Sequence, residues 1–180
     1  MTRNGFNSKF DLLLFITTLY MATILRKVKE SDNAQLAQII KDVFEEFNAP
    51  KCGTVYSDPT TNTLFESFRV PLSELWVAES EGEIVGCCGI YPTEGLQEGC
   101  AELVKYYLAS KARGKGIGKA LLEKSIESAK AMGYNKLYLE CLPNFTQAIA
   151  LYQKQGFVFI DERLGNSGHS SCNVWMTKDL

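Results

Sequence analysis

The segment Arg113-Gly114-Lys115-Gly116-Ile117-Gly118 joins an apolar run to an amphipathic helical pattern. The apolar run, residues 103–108, has the β-branched and aromatic character of a buried strand. The helical pattern places apolar or small side chains at Ile117, Leu121, Leu122, Ser125 and Ala129, with Gly133 as a stop signal. Glycines at such a turn let several main-chain N–H groups approach one ligand, and the free N–H groups of a helix N-terminus favour an anion. The segment therefore predicts a phosphate-binding loop.

Two common nucleotide-binding loops do not fit this spacing. A Walker A loop requires a glycine where Arg113 stands and a Ser or Thr where Ala120 stands. The dinucleotide-binding pattern requires a third glycine where Lys119 stands. The pattern that fits is R-x-x-G-x-G, which resembles the acyl-CoA-binding loop of the GNAT-type N-acetyltransferases, where the loop wraps the pyrophosphate of coenzyme A. A glycine-rich turn that serves only close packing is the alternative.

A second segment, residues 144–157, carries the same resemblance. It predicts a short helix that is capped by Asn144 and stopped by Gly156. Its sequence is similar to the family's A-I-x-L-Y-x-x-x-G-F helix, which an asparagine precedes. Asn144 lies eight residues before Tyr152, one residue farther than is common in the family. The resemblance extends over most of the chain, from about residue 22 to residue 180.

The chain as a whole predicts one α/β domain with a mixed sheet of about seven strands flanked by helices. The order of elements, β-α-α-β-β-β-α-β-α-β-β, matches the GNAT arrangement. The resemblance implies that two central parallel strands splay apart and that coenzyme A enters the gap. The predicted elements outside the two motifs are a strand at 22–28, a helix from Ser31 or Asp32 to Asn48, a short helix at 62–68, a hairpin around Glu81-Gly82, strands at 101–108 and 136–141, and last strands at 157–162 and 172–178.

The amino terminus carries an apolar run at residues 12–22. The run is too short for a comfortable transmembrane helix. Asp11 at its edge and the lack of an A-x-A site argue against a secretory signal. We favour a natural translation start at Met21, or an appended segment without a catalytic role. We therefore expect an extension at residues 1–21, an N-acetyltransferase domain at residues 22–180, and no membrane partner.

Length and charge narrow the class of protein. The chain has 180 residues and a net charge of −2. The length suits one domain with a single core. The charge argues against a nucleic-acid partner, because binding to a phosphate backbone requires a basic surface. Local positive charge is expected around the glycine loop, from Lys105, Lys111, Arg113, Lys115 and Lys119.

The six cysteines show no C-x-x-C spacing. Half of them lie in apolar, strand-like runs, where a free cysteine packs as a small hydrophobic residue. We therefore expect no metal site and a reducing, cytoplasmic location.

The resemblance also implies which residues contact acetyl-CoA. The thioester oxygen would meet a main-chain N–H near Leu108. The pyrophosphate would be bound by main-chain N–H groups of Arg113, Gly114, Lys115, Gly116, Ile117, Gly118 and Lys119. Asn144 and Tyr152 would complete the coenzyme A site.

Two residues are candidates for proton transfer. Tyr152 is the candidate general acid for the departing thiolate, since a phenol stays protonated at neutral pH; packing of the helix on the sheet is its structural alternative. Glu102 is the candidate general base. It lies eleven residues before Arg113, the separation found in family members that modify histones, and its alternative is an ion-paired or edge-facing glutamate. His169 could instead serve as the base.

The function implied by the resemblance is direct transfer of an acetyl group from acetyl-CoA to a primary amine of a small molecule or peptide. Residues 50–71 and 164–171 would shape the acceptor site. The alternative is a catalytically inactive, coenzyme A-binding regulatory domain. The resemblance also allows a homodimer.

Overall fold

A computed structural model of the protein describes residues 23–180. Its strands are β1 (Ile24–Lys27), β2 (Glu74–Ser80), β3 (Glu83–Tyr91), β4 (Cys100–Leu108), β5 (Lys136–Cys141), β6 (Val158–Ile160) and β7 (Val174–Asp179). Its α-helices are α1 (Asn33–Glu46), α2 (Leu64–Ser67), α3 (Ile117–Ala131) and α4 (Thr146–Lys154). The predicted order of elements is confirmed. The extension predicted at residues 1–21 lies outside the described residues.

The strands form one seven-stranded sheet in the order β1-β2-β3-β4-β5-β7-β6. β4 and β5 are parallel, and the other neighbouring pairs are antiparallel. The β2–β3 hairpin turns through Glu81 and Gly82, whose φ angles of 56° and 78° are typical of a type I′ turn. The predicted fold class, a mixed sheet flanked by helices, is confirmed.

The helices cover both faces of the sheet. Along β2, side chains alternate between the two faces, as the period of a strand requires. Leu75 and Val77 pack in the cluster that contains Phe44 of α1, while Ala78 packs in the cluster that contains Leu121 of α3. α4 joins the α3 side through Tyr152. The sheet is therefore the middle layer of three.

Two predicted details of the helices are wrong. Asn144 does not cap α4, because Phe145 is the N-cap. The Nδ2 group of Asn144 donates to the carbonyls of Phe47 and Asn48, both at 3.4 Å. The helix predicted at 62–68 is divided, because Thr63 has φ −134° and ψ 47° and separates a 3-10 turn, Pro59–Asn62, from α2.

The predicted start of α1 at Asp32 is confirmed, since Asp32 is its N-cap residue. Its carboxylate makes no bond to the N–H groups of α1 and accepts from Arg26 and from the Lys29 N–H.

None of the helices in residues 23–180 is both long enough and apolar enough to span a membrane. In the same range, no three His, Cys, Asp or Glu side chains form a group that could hold a metal ion.

Candidate active site

The central strands separate and leave a cavity between them. β4 pairs with β5 only through residues 100–102 and 136–138. Beyond this point β4 continues beside β3, and β5 continues beside β7. The opening leads into a cavity of about 990 Å³. The predicted splaying of the two parallel strands is confirmed.

A β-bulge lies where β4 leaves β5. Cys87 pairs with Tyr107 and Gly89 with Val104, so two residues of β4 stand opposite Cys88. One of the two, Lys105, has a φ of 54°. This left-handed conformation is uncommon for a lysine and costs of the order of 1 kcal/mol. The bulge therefore marks a strained position on the cavity wall.

The main chain of Leu108 faces the opening. Ala109 donates its N–H to the carbonyl of Val85 on β3 at 2.8 Å. Successive residues of a strand point their N–H groups to opposite sides, so that of Leu108 points away from β3. The Leu108 carbonyl, which lies on the same side as its N–H, accepts bonds from Arg113 Nε at 3.1 Å and Nη2 at 3.0 Å. This geometry suits the predicted contact of the Leu108 N–H with a thioester oxygen.

The glycine loop forms an open cradle at the start of α3. Gly114 and Gly116 have φ angles of 73° and 80°, where a residue with a side chain would be strained. A Cβ atom at either position would meet nothing within 4 Å, and both glycines line the cavity. The first intrahelical bond joins the Ala120 N–H to the Gly116 carbonyl at 3.0 Å. The N–H groups of residues 117–119 therefore have no partner within the helix, as an anion site requires.

Gly118 has a different role from the two glycines before it. A Cβ atom at this position would collide with the Tyr106 hydroxyl on β4. Its lack of a side chain lets the first turn of α3 pack against the strand.

Arg113 contacts four protein partners. Its main-chain N–H donates to the Ser110 carbonyl at 3.2 Å. Its guanidinium binds the Leu108 carbonyl, forms two bonds with Glu46 at 2.6 and 2.9 Å, and lies 4.9 Å from the centre of the Phe47 ring. The pyrophosphate contact predicted for Arg113 stays a prediction, and the structure gives this side chain a second role.

The predicted site residues divide into two groups. Lys115, Ile117 and Asn144 are not among the residues that line the cavity within the described chain. The cavity wall includes Glu102, Leu108, Arg113, Gly114, Gly116, Gly118, Lys119 and Tyr152.

Tyr152 lies on α4 and is 5% exposed. Its ring centre is 5.6 Å from that of Tyr106 and 5.8 Å from that of Phe157. Within residues 23–180 its hydroxyl makes no hydrogen bond. Burial raises the Tyr152 pKa well above 10.0. The phenol therefore keeps its proton at neutral pH.

Glu102 lies on β4 and is 4% exposed. Burial raises its pKa from 4.5 to about 7, and the nearby charge of Glu140 adds to the rise. A hydrogen bond from the Thr93 hydroxyl to Glu102 Oε2 acts in the opposite direction. A carboxyl group with a pKa near 7 can both accept and release a proton at neutral pH.

Asp58, Lys105 and His169 form a cluster on the wall of the same cavity. Asp58 Oδ2 lies 3.5 Å from Lys105 Nζ and 3.2 Å from His169 Nε2. Burial acts to raise the Asp58 pKa, but hydrogen bonds from Thr60 and the charge of Lys105 outweigh it and lower the pKa to about 2. The pKa of Lys105 and that of His169 are both lowered, chiefly by burial.

Two of the basic residues predicted around the glycine loop are paired with carboxylates. The Lys105 side chain is 10% exposed and faces Asp58. Lys111 pairs with Glu83. The strain and burial of Lys105 depend on the bulge. The local sequence carries no signal from which the bulge could be predicted.

The comparisons with known proteins agree with this geometry. The sequence model of the acetyltransferase (GNAT) family matches residues 36–157. The chain is 38% identical over 159 residues to the uncharacterized N-acetyltransferase YjgM of Escherichia coli, covering 87% of this chain and 95% of that relative.

Two solved structures extend the comparison. The ribosomal-protein-alanine N-acetyltransferase of Brucella melitensis is 27% identical with a TM-score of 0.69, covering 87% of this chain and 99% of that one. The phosphinothricin acetyltransferase of Sinorhizobium meliloti, solved in complex with AcCoA, is 22% identical with a TM-score of 0.70, covering 89% of each chain. The latter likeness concerns the fold. Together with the family match, these findings show that the chain belongs to the GNAT family of acyl-CoA-dependent N-acyltransferases.

Proposed function

We propose that this protein transfers the acetyl group of acetyl-CoA directly to a primary amine of a small molecule or peptide. One observation carries the proposal. A single cavity is bordered by the glycine cradle and by a buried carboxyl group whose pKa is about 7. The cradle fits a pyrophosphate, since the space beyond Gly114 and Gly116 is open and the first N–H groups of α3 lack helical partners. Acetyl-CoA supplies the thioester whose carbonyl carbon is attacked.

Each chemical requirement of acyl transfer has a candidate residue. Glu102 accepts a proton from the acceptor ammonium, so that the free amine can attack. The Leu108 N–H donates to the oxygen that becomes negative, and a fixed donor of this kind contributes about 10²–10³ in rate. Tyr152 donates its proton to the departing thiolate. The general acid and base positions are both filled, which favours an enzyme over the inactive regulatory alternative.

The acceptor enters the cavity between three loops, which contain Gly53, Glu94 and Asn166. Main-chain bonds join two pairs of these loops: Ser171 N–H donates to the Gly53 carbonyl at 3.1 Å, and Asn166 N–H donates to the Glu94 carbonyl at 2.7 Å. The Asp58–His169 contact adds a side-chain link. Because these bonds hold the loops together, we expect a defined acceptor rather than any exposed amine.

The free cysteines support a reducing, cytoplasmic location. All six lie in the described residues and none is in a disulfide.

The test is acetyl-CoA turnover against a broad panel of amines and short peptides, with products identified by mass spectrometry. We expect acetylation of at least one primary amine. Gly116→Trp should abolish acetyl-CoA binding, because the indole would fill the cradle. Gly133→Trp is the matched control, since Gly133 ends the same helix with a φ of 87° and open space beyond it. Coenzyme A binding without turnover of any amine would support the inactive domain instead.

A further inference from the structure

Glu46, Arg113 and Leu108 form a continuous clasp between α1 and the end of β4. Arg113 Nη1 and Nη2 contact the two carboxylate oxygens of Glu46 at 2.6 and 2.9 Å. Nη2 and Nε of the same guanidinium reach the Leu108 carbonyl. The Phe47 ring beneath the guanidinium limits its movement. The planar group is thus held in one orientation by contacts on both sides.

The position of Glu46 is unfavourable without this partner. It is the last residue of α1, where the helix dipole disfavours a carboxylate. Its neighbour Glu45 stands in the same unfavourable field and contacts Lys51 and Tyr56 instead. Both glutamates are therefore paired, but only Glu46 is connected to the cavity. This difference gives a natural control within one helix.

We propose that Glu46 is a positioning residue, which acts through Arg113 to fix the Leu108 peptide so that its N–H points at the thioester carbonyl. The proposal rests on the proposed function and adds a residue outside the cavity wall to it. No strand pairs with β4 on this side, because β5 has separated from it. The clasp supplies the constraint that a neighbouring strand would otherwise give.

A direct phosphate contact by Arg113 leads to the opposite expectation. In that case Glu46 would compete with the pyrophosphate for the guanidinium. Removing its charge would free Arg113 and strengthen coenzyme A binding. The clasp predicts unchanged binding of coenzyme A and weaker polarisation of the thioester.

The experiment compares Glu46→Gln with Glu45→Gln. Calorimetry gives the Kd for coenzyme A, which has no acetyl carbonyl. Difference infrared spectroscopy of bound acetyl-CoA, labelled with ¹³C at the thioester carbonyl, gives the C=O stretching frequency. An N–H bond to this oxygen lowers the frequency, and the measurement needs no acceptor. Turnover is measured with an amine from the panel. Arg113→Lys is a second variant, which keeps the charge and loses the planar fork.

We expect wild type to show a lowered carbonyl frequency that Glu46→Gln and Arg113→Lys largely lose. The Kd for coenzyme A should stay within about twofold, and kcat should fall about 10-fold, less than for complete loss of an oxyanion donor. Glu45→Gln should behave like wild type. Tighter coenzyme A binding by Glu46→Gln, an unchanged frequency, or an equal loss in Glu45→Gln would overturn the clasp. Absence of acetyl-CoA binding in wild type would overturn the proposed function together with it, whereas binding without amine turnover leaves the infrared comparison decisive.

Discussion

Replacing Thr93 with valine should move the pH dependence of acetyl transfer to higher pH. The Thr93 hydroxyl donates to Glu102 and stabilises its ionised form. A hydrogen bond to a charged group contributes about 1.5–3 kcal/mol, and each pKa unit corresponds to 1.36 kcal/mol, so its loss should raise the Glu102 pKa by about 1–2 units. The starting value is about 7. A general base must be unprotonated, so the variant should be slow at neutral pH and recover in alkali.

The assay is kcat/KM for acetyl transfer between pH 5.5 and 10. We expect Thr93→Val to fall about 10-fold or more below wild type at pH 7 and to approach it near pH 10. Thr60→Val is the control, because Thr60 lines the same cavity beside Asp58. This variant should leave the acidic limb of the pH profile, the range in which kcat/KM rises with pH, at its wild-type position. Glu102→Gln should remove the limb. If the limb instead persists in Glu102→Gln and disappears in His169→Asn, the base is His169 and this reasoning is wrong.

Four further outcomes are expected. Above pH 7 the Glu102→Gln variant should have a free energy of unfolding about 3 kcal/mol higher than that of wild type. The reason is that the pKa of Glu102 is raised from 4.5 to about 7 in the folded state, so wild type loses stability as pH rises through this range. Urea unfolding at pH 5 and 8.5 measures the difference, and equal gains at both pH values would contradict the raised pKa. Tyr152→Phe should lower the rate of single-turnover acetyl transfer about 10²-fold at pH 7 and by less at high pH, while the affinity for acetyl-CoA stays unchanged. Tyr106→Phe is the control and should transfer at the wild-type rate. Equal rates of wild type and Tyr152→Phe at every pH would make Tyr152 a packing residue. Asp58→Asn should raise the acceptor KM while leaving the Kd for coenzyme A unchanged, as product assays and calorimetry can show, and a changed Kd would refute an acceptor role. A chain that starts at Met21 should fold and bind acetyl-CoA like the full chain, and an insoluble product would make residues 1–20 part of the domain.

The glycine loop and α3 could be predicted from sequence because their signals are local. Gly114 and Gly116 need unusual φ angles, and the apolar spacing that follows them is complete within a few turns. The same holds for β5, whose predicted bounds match the observed strand.

The contacts that define the cavity could not be predicted in this way. Arg113 meets Glu46 across 67 residues of sequence, and Asp58 meets His169 across 111. Such pairs depend on how the sheet brings distant loops together, and no spacing rule encodes them. The failed N-cap at Asn144 has the same cause, since its Nδ2 group donates to the distant carbonyls of Phe47 and Asn48 and these bonds orient the side chain.

The extra residue in β4 separates the charge of the cavity from the register of the strand. Because two residues stand opposite Cys88, Val104 and Tyr107 share one face of the sheet, while Tyr106 and Leu108 share the other. Deleting Lys105 would restore regular pairing and leave Tyr106 and Leu108 on the face they now occupy. Only the bulge and the positive charge beside Asp58 would be lost. A one-residue deletion in this strand would therefore change the charge that an acceptor meets while the coenzyme A side of the cavity keeps its geometry.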